Sequence, residues 1–214
     1  MMIHAYDKNY LEKAQVTLGT MLDYAVNDAK FNLTEFYKLF LSSNISIQFE
    51  NGNCSVLVGK SGVELVYDIF FNLNKLDSLP SPIYKSYKTK EYWTGWALAY
   101  YQWYTSLPFS YINEKIPIQD IRKLYNPYHE MDIMQFVDKM NDLYKENTTE
   151  SNLKRIRKEM GLTQKELSAK TNIPLKTIQH YEQRLRNINK AEAQYLIAIS
   201  KILCCRVEDL LELE

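Results

Sequence analysis

The stretch LKRIRKEMGLTQKELSAKTNIPLKTIQHYEQRLRN, residues 153–187, decides the fold of the C-terminal part of the chain. It opens with Leu153, Ile156 and Met160, apolar residues whose spacing places them on one side of a helix. Gly161 follows directly and is a typical helix terminator. These residues predict a first helix that ends before Gly161.

The middle of the same stretch predicts two further helices with a tight turn between them. Thr163 followed by Glu166 has the spacing of a capping box and marks the start of the second helix. Asn172 tolerates the left-handed backbone conformation that a tight turn requires. Pro174 suits the first turn of a third helix, where its missing N–H is not needed.

Apolar periodicity continues beyond this stretch, over residues 191–203 and again over 207–211, and predicts a fourth helix and a short fifth one. Two short helices joined by a tight turn have the shape that enters the major groove of DNA, provided that the second helix has polar side chains on its outer face.

Residues 152–211 are similar to the Cro/C1-type (XRE-like) helix-turn-helix family of DNA-binding domains. The motifs that carry the resemblance are Leu153-x-x-x-Arg157, Gly161-Leu162-Thr163-Gln164-x-x-Leu167 and Ile178-x-x-Tyr181-Glu182.

The resemblance implies a role for each matching position. The positions that read base edges in the family are occupied here by Leu175, Lys176, Thr177, Gln179 and His180. The positions that contact phosphates are occupied by Gln164, Arg184, Arg186 and Asn187. Arg157 and Glu182 match a structural ion pair between the first and third helices. The family also implies a homodimer on double-stranded operator DNA.

The chain departs from the family pattern at four positions. Arg184 stands where Gly is usual, and Ile188 lies where Pro is usual. Ser168 and Asn172 replace a frequent Ala and Gly. Because Arg adopts a positive φ less cheaply than Gly, we expect the exit from the third helix to differ.

The charge of the chain is zero overall but unevenly distributed. Residues 151–190 hold ten Lys and Arg against three Glu, whereas residues 1–150 hold fourteen basic and eighteen acidic residues. A local excess of positive charge is typical of a surface that binds a polyanion. This distribution also favours nucleic-acid binding by the C-terminal part.

The N-terminal part holds all three Trp and all eight Phe of the chain. Its apolar spacing predicts helices over residues 7–29, 32–41, 61–73, 90–106, 117–125 and 130–145. Ser61 followed by Glu64 has the spacing of a capping box at the start of the third of these helices. Residues 44–60 are ambiguous, and residues 54–58 could be a short extended piece. The sequence thus predicts an all-α protein with an N-terminal multi-helix domain, residues 1–147, and a C-terminal five-helix domain, residues 152–214.

The stretch EYWTGWALAYYQWY, residues 91–104, holds seven aromatic rings. On a helix, Trp93, Trp96, Tyr100 and Trp103 share one face. We expect most of the rings to lie in the core. The surplus rings would line a partner-binding face, since Trp and Tyr anchor protein interfaces, or a pocket for a small effector.

No motif in the N-terminal part points to catalysis, a cofactor or a metal. The segment VGKS, residues 58–61, lacks the first Gly of a phosphate-binding loop. The three His residues are scattered, without a Cys/His cluster. We expect a non-enzymatic protein without catalytic residues, cofactors or bound metal.

Two further patterns bear on location. Residues 92–113 carry no charge, but they are rich in Tyr and are interrupted by Pro108, so a membrane span is not expected. The N-terminus has no signal-peptide pattern. Three Cys without framework spacing are typical of reduced thiols. These patterns predict a cytoplasmic protein.

The N-terminal stretch, including SGVELV at 61–66 and LYNPYHEMDI at 124–133, is similar to extensions of helix-turn-helix antitoxins encoded beside ADP-ribosyltransferase-like toxins. This resemblance implies that the N-terminal domain binds a toxin and that the C-terminal domain autorepresses the operon. The alternative is a one-component repressor whose N-terminal domain binds a small-molecule effector. An enzyme with an appended DNA-binding domain is the third hypothesis.

Overall fold

The structure, a computed structural model, describes residues 4–71, 79–83 and 85–212. All regular elements within these ranges are helical, which confirms the predicted all-α class. The chain divides into two compact units, residues 1–144 and 145–214. The division falls inside a helix that ends at Asn147, the last residue of the N-terminal domain that the sequence predicts.

The N-terminal unit is a cluster of helices of very different lengths. They are α1 (Leu11–Asp23), α2 (Leu33–Ser42), α3 (Asn44–Glu50), α4 (Cys54–Leu57), α5 (Gly62–Phe71), α6 (Lys90–Thr105), α7 (Phe109–Lys115), α8 (Ile118–Lys123), α9 (Tyr125–Tyr128) and α10 (Ile133–Asn147). A 3-10 turn, Lys8–Tyr10, precedes α1, and a π-helical segment, Tyr24–Asp28, follows it.

Helix α1 is the element against which α6 and α5 pack. Two glycines make these approaches close. A Cβ at Gly95 of α6 would overlap the carbonyl oxygen of Leu18 and lie 2.9 Å from the Cα of Gly19. A Cβ at Gly62 of α5 would overlap the backbone of α1 at Thr17 and Met21. Because backbone atoms cannot swing aside, these positions admit only Gly at the observed helix separation.

The capping box predicted at the start of α5 is confirmed. The Glu64 carboxylate accepts a hydrogen bond from the backbone N–H of Ser61 at 2.7 Å, and the Ser61 hydroxyl accepts one from the Glu64 N–H at 3.3 Å. The same backbone bond lowers the pKa of the Glu64 carboxyl. Two N–H groups that the helix leaves without an intrahelical partner are thus satisfied. The last two residues of the predicted helix, 72 and 73, lie outside the described residues.

The core of the N-terminal unit is rich in Phe and Tyr. Phe109 of α7 packs edge-on against Phe40 at 5.4 Å and Phe49 at 5.6 Å between ring centroids. Tyr37 and Tyr101 are also fully buried, and burial raises the pKa of both phenols. The aromatic surplus before residue 150 therefore fills a core shared by several helices.

The predictions for the N-terminal part were incomplete or wrong at three places. Residues 54–58 are not extended: Cys54–Leu57 form the short helix α4, with the Asn53 side chain accepting from the Ser55 N–H. Asn44–Glu50 form a helix as well. Helix α7, between Pro108 and Ile116, was not predicted.

The aromatic helix α6 is largely a core helix. Trp93, Tyr101 and Trp103 are buried, whereas Trp96 and Tyr100 are half-buried, as are Tyr92 and Tyr104. Only the half-buried rings remain accessible to a partner.

Among the described residues, none of the helices combines the length and the apolar character that crossing a bilayer requires.

The residues before the first turn are tied to the end of α6. The His4 imidazole stacks on the Trp103 indole with centroids 3.9 Å apart and planes 17° from parallel. The Trp103 Nε1–H donates to the carbonyl oxygen of Tyr6 at 2.8 Å, and the Ala5 N–H donates to the carbonyl of Trp103 at 3.0 Å. This segment closes one end of the unit.

The described part of the C-terminal unit, up to residue 212, contains four α-helices beyond the end of α10. They are α11 (Asn152–Glu159), α12 (Gln164–Thr171), α13 (Leu175–Glu182) and α14 (Ala193–Leu203). The fifth predicted helix is a 3-10 turn, Glu208–Leu210. Leu153, Leu167, Ile178 and Ile199 are fully buried at the centre of the unit.

Candidate nucleic-acid interface and aromatic cleft

The turn between α12 and α13 is built as its sequence predicts. Thr163 and Glu166 form a capping box at the start of α12. Asn172 ends α12 in the left-handed conformation, with φ at 56°. Pro174 directly precedes α13, and the Ser168 hydroxyl donates to the carbonyl of Ile173 at 2.6 Å. These contacts fix the angle between the two helices.

Helix α13 has one face in the core and one face outward. Ile178, Tyr181 and Glu182 are buried. The residues predicted to read bases occupy the remaining positions: Lys176 is exposed, and the half-buried ones are Leu175, Thr177, Gln179 and His180. The helix thus presents an outer surface with a cation, an amide, a hydroxyl and an imidazole, which are the groups that read base edges in a major groove.

A bidentate ion pair links α13 to α11. Arg157 Nε lies 2.6 Å from Glu182 Oε1, and Nη2 lies 2.8 Å from Oε2. The Arg157 and Glu182 side chains are 9% and 1% exposed, so both charges are removed from water. The hydrogen bonds with Glu182 raise the pKa of the Arg157 guanidinium, which therefore stays charged. Nη1 donates to the carbonyl of Leu162 at 2.6 Å, so all three nitrogens of the guanidinium are used.

Gln164, predicted to contact a phosphate, also belongs to this buried network. Its Nε2 donates to Glu182 Oε2 at 2.8 Å. The residue is the first of α12 and is half-buried. Because an amide nitrogen carries two hydrogens, one of them remains for an outside acceptor. The structure thus gives Gln164 a packing partner, and its phosphate contact stays a prediction.

Arg184 differs from the expectation drawn from its sequence. It adopts a left-handed conformation, with φ at 57°, although it is not Gly. Its guanidinium donates to the carbonyls of Thr148 and Glu150 and to the Glu212 carboxylate, at 3.4, 3.0 and 3.1 Å. The helix exit therefore keeps the conformation that Gly allows. The side chain bonds within the unit, and its phosphate contact stays a prediction.

The other two predicted phosphate ligands lie beyond the end of α13. Arg186 and Asn187 are both exposed. The Asn187 side chain accepts from the N–H of Asn189 at 2.8 Å and begins the 3-10 turn Ile188–Lys190. Arg186 is the better placed of the two for a phosphate, because its guanidinium has no carboxylate within 4.0 Å among the described residues.

The ten Lys and Arg of residues 151–190 fall into two groups of equal size, according to whether a carboxylate lies beside them. Five of the ten Lys and Arg at 151–190 pair with carboxylates: Lys154, Arg155, Arg157, Lys158 and Arg184. Within the described part of the chain, the other five have no carboxylate within 4.0 Å, and all five are exposed: Lys165, Lys170, Lys176, Arg186 and Lys190. Only Lys176 and Arg186 were predicted as site residues, because net charge alone does not tell a paired cation from an unpaired one.

The N-terminal unit carries a second candidate site, a cavity of about 410 Å³ at the start of α6. Among the residues that line it are Lys88, Tyr92, Trp93, Trp96, Tyr125 and His129. Trp93 and Trp96 belong to the predicted partner-binding set. Trp103 is buried, and Tyr100 is half-buried; neither lines this cavity. Sequence reasoning missed the contribution of residues 125–133, because their approach to α6 is a tertiary contact.

Comparison with known proteins identifies one of the two units. Residues 153–209 match the model of the helix-turn-helix family. No curated protein and no solved structure matches the chain. The matched range runs from the second residue of α11 to the middle residue of the 3-10 turn that follows α14. Residues 153–209 therefore form a Cro/C1-type helix-turn-helix domain, the DNA-binding part of a transcriptional regulator.

Proposed function

We propose that the protein is a sequence-specific repressor that binds an operator as a homodimer. The outer face of α13 carries this proposal. Lys176 is exposed there, beside Gln179 and His180, and no carboxylate of the described residues lies within 4.0 Å of it. The opposite face is held by the buried Arg157–Glu182 pair. A rigid helix with a polar outer surface is what direct base reading requires.

The experiment is a fluorescence-anisotropy titration of operator DNA, taken from the region upstream of the gene, and of random DNA of the same length. Lys176→Ala should weaken operator binding by about 1–3 kcal/mol if the ammonium donates to a base. Lys201→Ala is the matched control, since Lys201 is an exposed lysine at the far end of α14. An equal loss on both DNAs would make Lys176 a phosphate contact.

A homodimer on a palindromic site has a geometric consequence. Two recognition helices enter successive major grooves when the half-sites lie about 34 Å apart, one helical turn of DNA. Inserting five base pairs between the half-sites should abolish cooperative binding, because it rotates one half-site by about half a turn. Unchanged affinity for the altered operator would contradict the dimer.

For the N-terminal unit we propose the role of an antitoxin, in which residues 1–144 bind a toxin encoded in the same operon. What supports this role is the similarity of 61–66 and 124–133 to antitoxin extensions, together with accessible aromatic rings at Trp96 and Tyr100. Aromatic side chains at the edge of a core are common anchors of protein interfaces. The toxin would then be a corepressor or a competitor of operator binding.

Co-expression with the neighbouring gene tests the antitoxin role. The full chain should co-purify with one stoichiometric partner, and it should restore growth to cells that express that partner. Trp96→Ala should weaken the complex while leaving operator binding unchanged. A partner that is not toxic, or growth arrest that the chain does not relieve, would contradict the proposal.

The second candidate is a repressor controlled by a small effector in the N-terminal unit. The cavity of about 410 Å³ favours it, because it lies in the size range of small-molecule sites and is lined by aromatic rings. An operator-binding assay in the presence of metabolite pools separates the two roles. If metabolites alone weakened or strengthened the binding of the protein to operator DNA, without a protein partner, the effector role would be supported.

A further inference from the structure

We propose that the cleft at the start of α6 binds a small planar aromatic molecule that carries an anionic group, such as a carboxylate. The inference deepens the effector role proposed above and rests on it for its biological meaning, though ligand binding itself is independent of DNA. The cleft lies between Lys88–Trp96 and the segment 125–133, within the N-terminal unit.

The aromatic walls of the cleft are held open by their own packing. Trp93 packs edge-on against Tyr125, with centroids 5.6 Å apart, and against Phe136 at 5.3 Å. Tyr125 in turn stacks on His129 at 4.0 Å, with the planes 15° from parallel. Each ring is thus supported from behind. A preformed slot with ring walls suits a flat ligand, which gains stacking and edge contacts without reorganising the protein.

One lysine, Lys88, lines the cleft, and a second, Lys90, lies close to one of the lining rings, that of Tyr125. Lys88 Nζ lies 3.9 Å from the centre of the Tyr92 ring, and Lys90 Nζ lies 5.6 Å from that of Tyr125. In the described ranges neither nitrogen has a carboxylate oxygen within 4.0 Å. A cation over a ring is stabilised there, so both charges stay close to the rings that a ligand would contact.

The acidic residues nearest in sequence have partners other than the two lysines. Glu91 is buried and bonded to Arg122 Nε at 2.7 Å and to Asn27 at 3.1 Å. The Asp132 carboxylate accepts from the N–H of Met134 at 2.8 Å. Glu130 is exposed and lies 3.4 Å from His129 Nε2. In the described ranges none of these three carboxylates lies within 4.0 Å of the Lys88 or Lys90 ammonium, so an anionic ligand would not have to break an ion pair to reach either lysine.

The backbone that carries the two lysines is anchored. Thr89, which lies between them, donates to Asp23 Oδ1 and accepts from the Tyr92 N–H at 3.1 Å. Asp23 also pairs with Lys85 at 3.0 Å. Lys88 and Lys90 thus flank a residue that is hydrogen-bonded to both α1 and α6. Little backbone entropy is lost when a ligand binds there.

These features select the charge of the ligand. A cationic ligand would meet two ammonium groups that already occupy the ring faces. A neutral ligand would fill the slot but leave those charges without a partner. An aromatic anion satisfies the rings and the ammonium groups together, through stacking and charge-assisted hydrogen bonds.

The test is isothermal titration calorimetry of the full chain, without DNA, against three probes with the same ring system. The probes are indole-3-acetate, indole-3-acetamide and tryptamine, which are anionic, neutral and cationic. Indole-3-acetate should bind about fivefold more tightly than indole-3-acetamide, the size of effect expected for a partly exposed charge pair. Tryptamine should bind most weakly.

Variants locate the site. Lys88→Gln combined with Lys90→Gln should reduce the affinity for the anion to that for the amide and leave the amide unchanged. Lys13→Gln, at an exposed lysine of α1, is the matched control and should change nothing. Trp96→Leu should weaken all three probes. A melting temperature equal to that of the wild type would show that each variant is folded.

Other outcomes would overturn the proposal. They are no heat with any probe, equal affinity for the three probes, tightest binding of tryptamine, or an anion preference that survives the double lysine variant. Operator binding is measured on the same samples. Tight binding of indole-3-acetate with unchanged operator affinity would uphold the site and refute its control of DNA binding by that compound.

Discussion

Glu182 accepts hydrogen bonds from Arg157 and Gln164, side chains that belong to two different helices. Its carboxylate is 1% exposed, and it lies at the end of the recognition helix α13. A buried carboxylate without a partner is costly, and so is a buried guanidinium that has lost one. The orientation of α13 therefore depends on a charge that never contacts DNA.

Glu182→Ala should destabilise the C-terminal unit by about 3–5 kcal/mol, because Arg157 would be left buried and unpaired. Hydrogen exchange of peptides spanning 175–182 should rise strongly. Glu159→Ala is the control: Glu159 pairs with Arg155 on the surface and is 51% exposed. That change should cost no more than about 1 kcal/mol. Equal exchange in the two variants would contradict a supporting role for the buried pair.

Arg184 combines a cost and a benefit at one residue. The left-handed conformation of a side chain other than Gly costs about 1–2 kcal/mol. Three hydrogen bonds from its guanidinium offset that cost. Arg184→Ala keeps the cost and loses the bonds, so it should be clearly destabilising. Arg184→Gly loses both and should be closer to the wild type. Calorimetric melting of the two variants gives the order, and an Ala variant as stable as the Gly variant would refute this account.

Among the elements, α1 and α6 approach each other through Gly95. Gly95→Ala would press a methyl group against the backbone of Leu18 and Gly19. The two helices must then separate, and we expect a loss of about 1–3 kcal/mol in the N-terminal unit. Tryptophan fluorescence during urea unfolding reports this unit, because all three Trp lie before residue 150.

Gly161→Ala serves for comparison. Gly161 has a φ of 68° and no atom within 4 Å of an added Cβ, so only backbone strain would be introduced, in the other unit. Its tryptophan-detected unfolding should match the wild type. If the urea unfolding curve of Gly95→Ala also matched that of the wild type, α1 and α6 would be able to separate without a loss of stability.

The helices that were predicted well are those whose ends carry a local signal. Thr163 with Glu166, and Ser61 with Glu64, form their capping boxes as expected. Helix α4 was misread because Val56 and Val58 favour a strand locally, whereas Asn53 caps a helical turn there. Helix α7 is too short for a helical period to stand out, and it depends on the burial of Phe109 and Ile112.

At the scale of the whole molecule, a site could be predicted from the sequence only where its residues lie in one continuous stretch. The recognition helix is local in sequence, so its residues could be predicted from one stretch. The aromatic cleft joins residues 88–96 to residues 125–133, which no local pattern relates. The engagement of Arg184 within its own unit likewise depends on Glu150 and Glu212, distant in sequence.

The charge of the C-terminal unit predicts its salt dependence. Five of its ten basic residues at 151–190 are already paired within the unit. If the other five contact phosphates, the slope of log K against log salt concentration should be about −4 to −5 per protomer. Anisotropy titrations at several salt concentrations measure it. A slope near about −9 would mean that the internal ion pairs open on DNA.

The contact between His4 and Trp103 has a practical consequence for spectroscopy and for protein engineering. An indole stacked on an imidazole changes its emission when the neighbouring ring is removed or protonated, so Trp103 reports whether residues 4–6 are seated against α6. Deleting those residues would uncover the indole and free its N–H. An affinity tag belongs at the other end of the chain, and a shift in tryptophan emission would show that a tag at the beginning has displaced the segment.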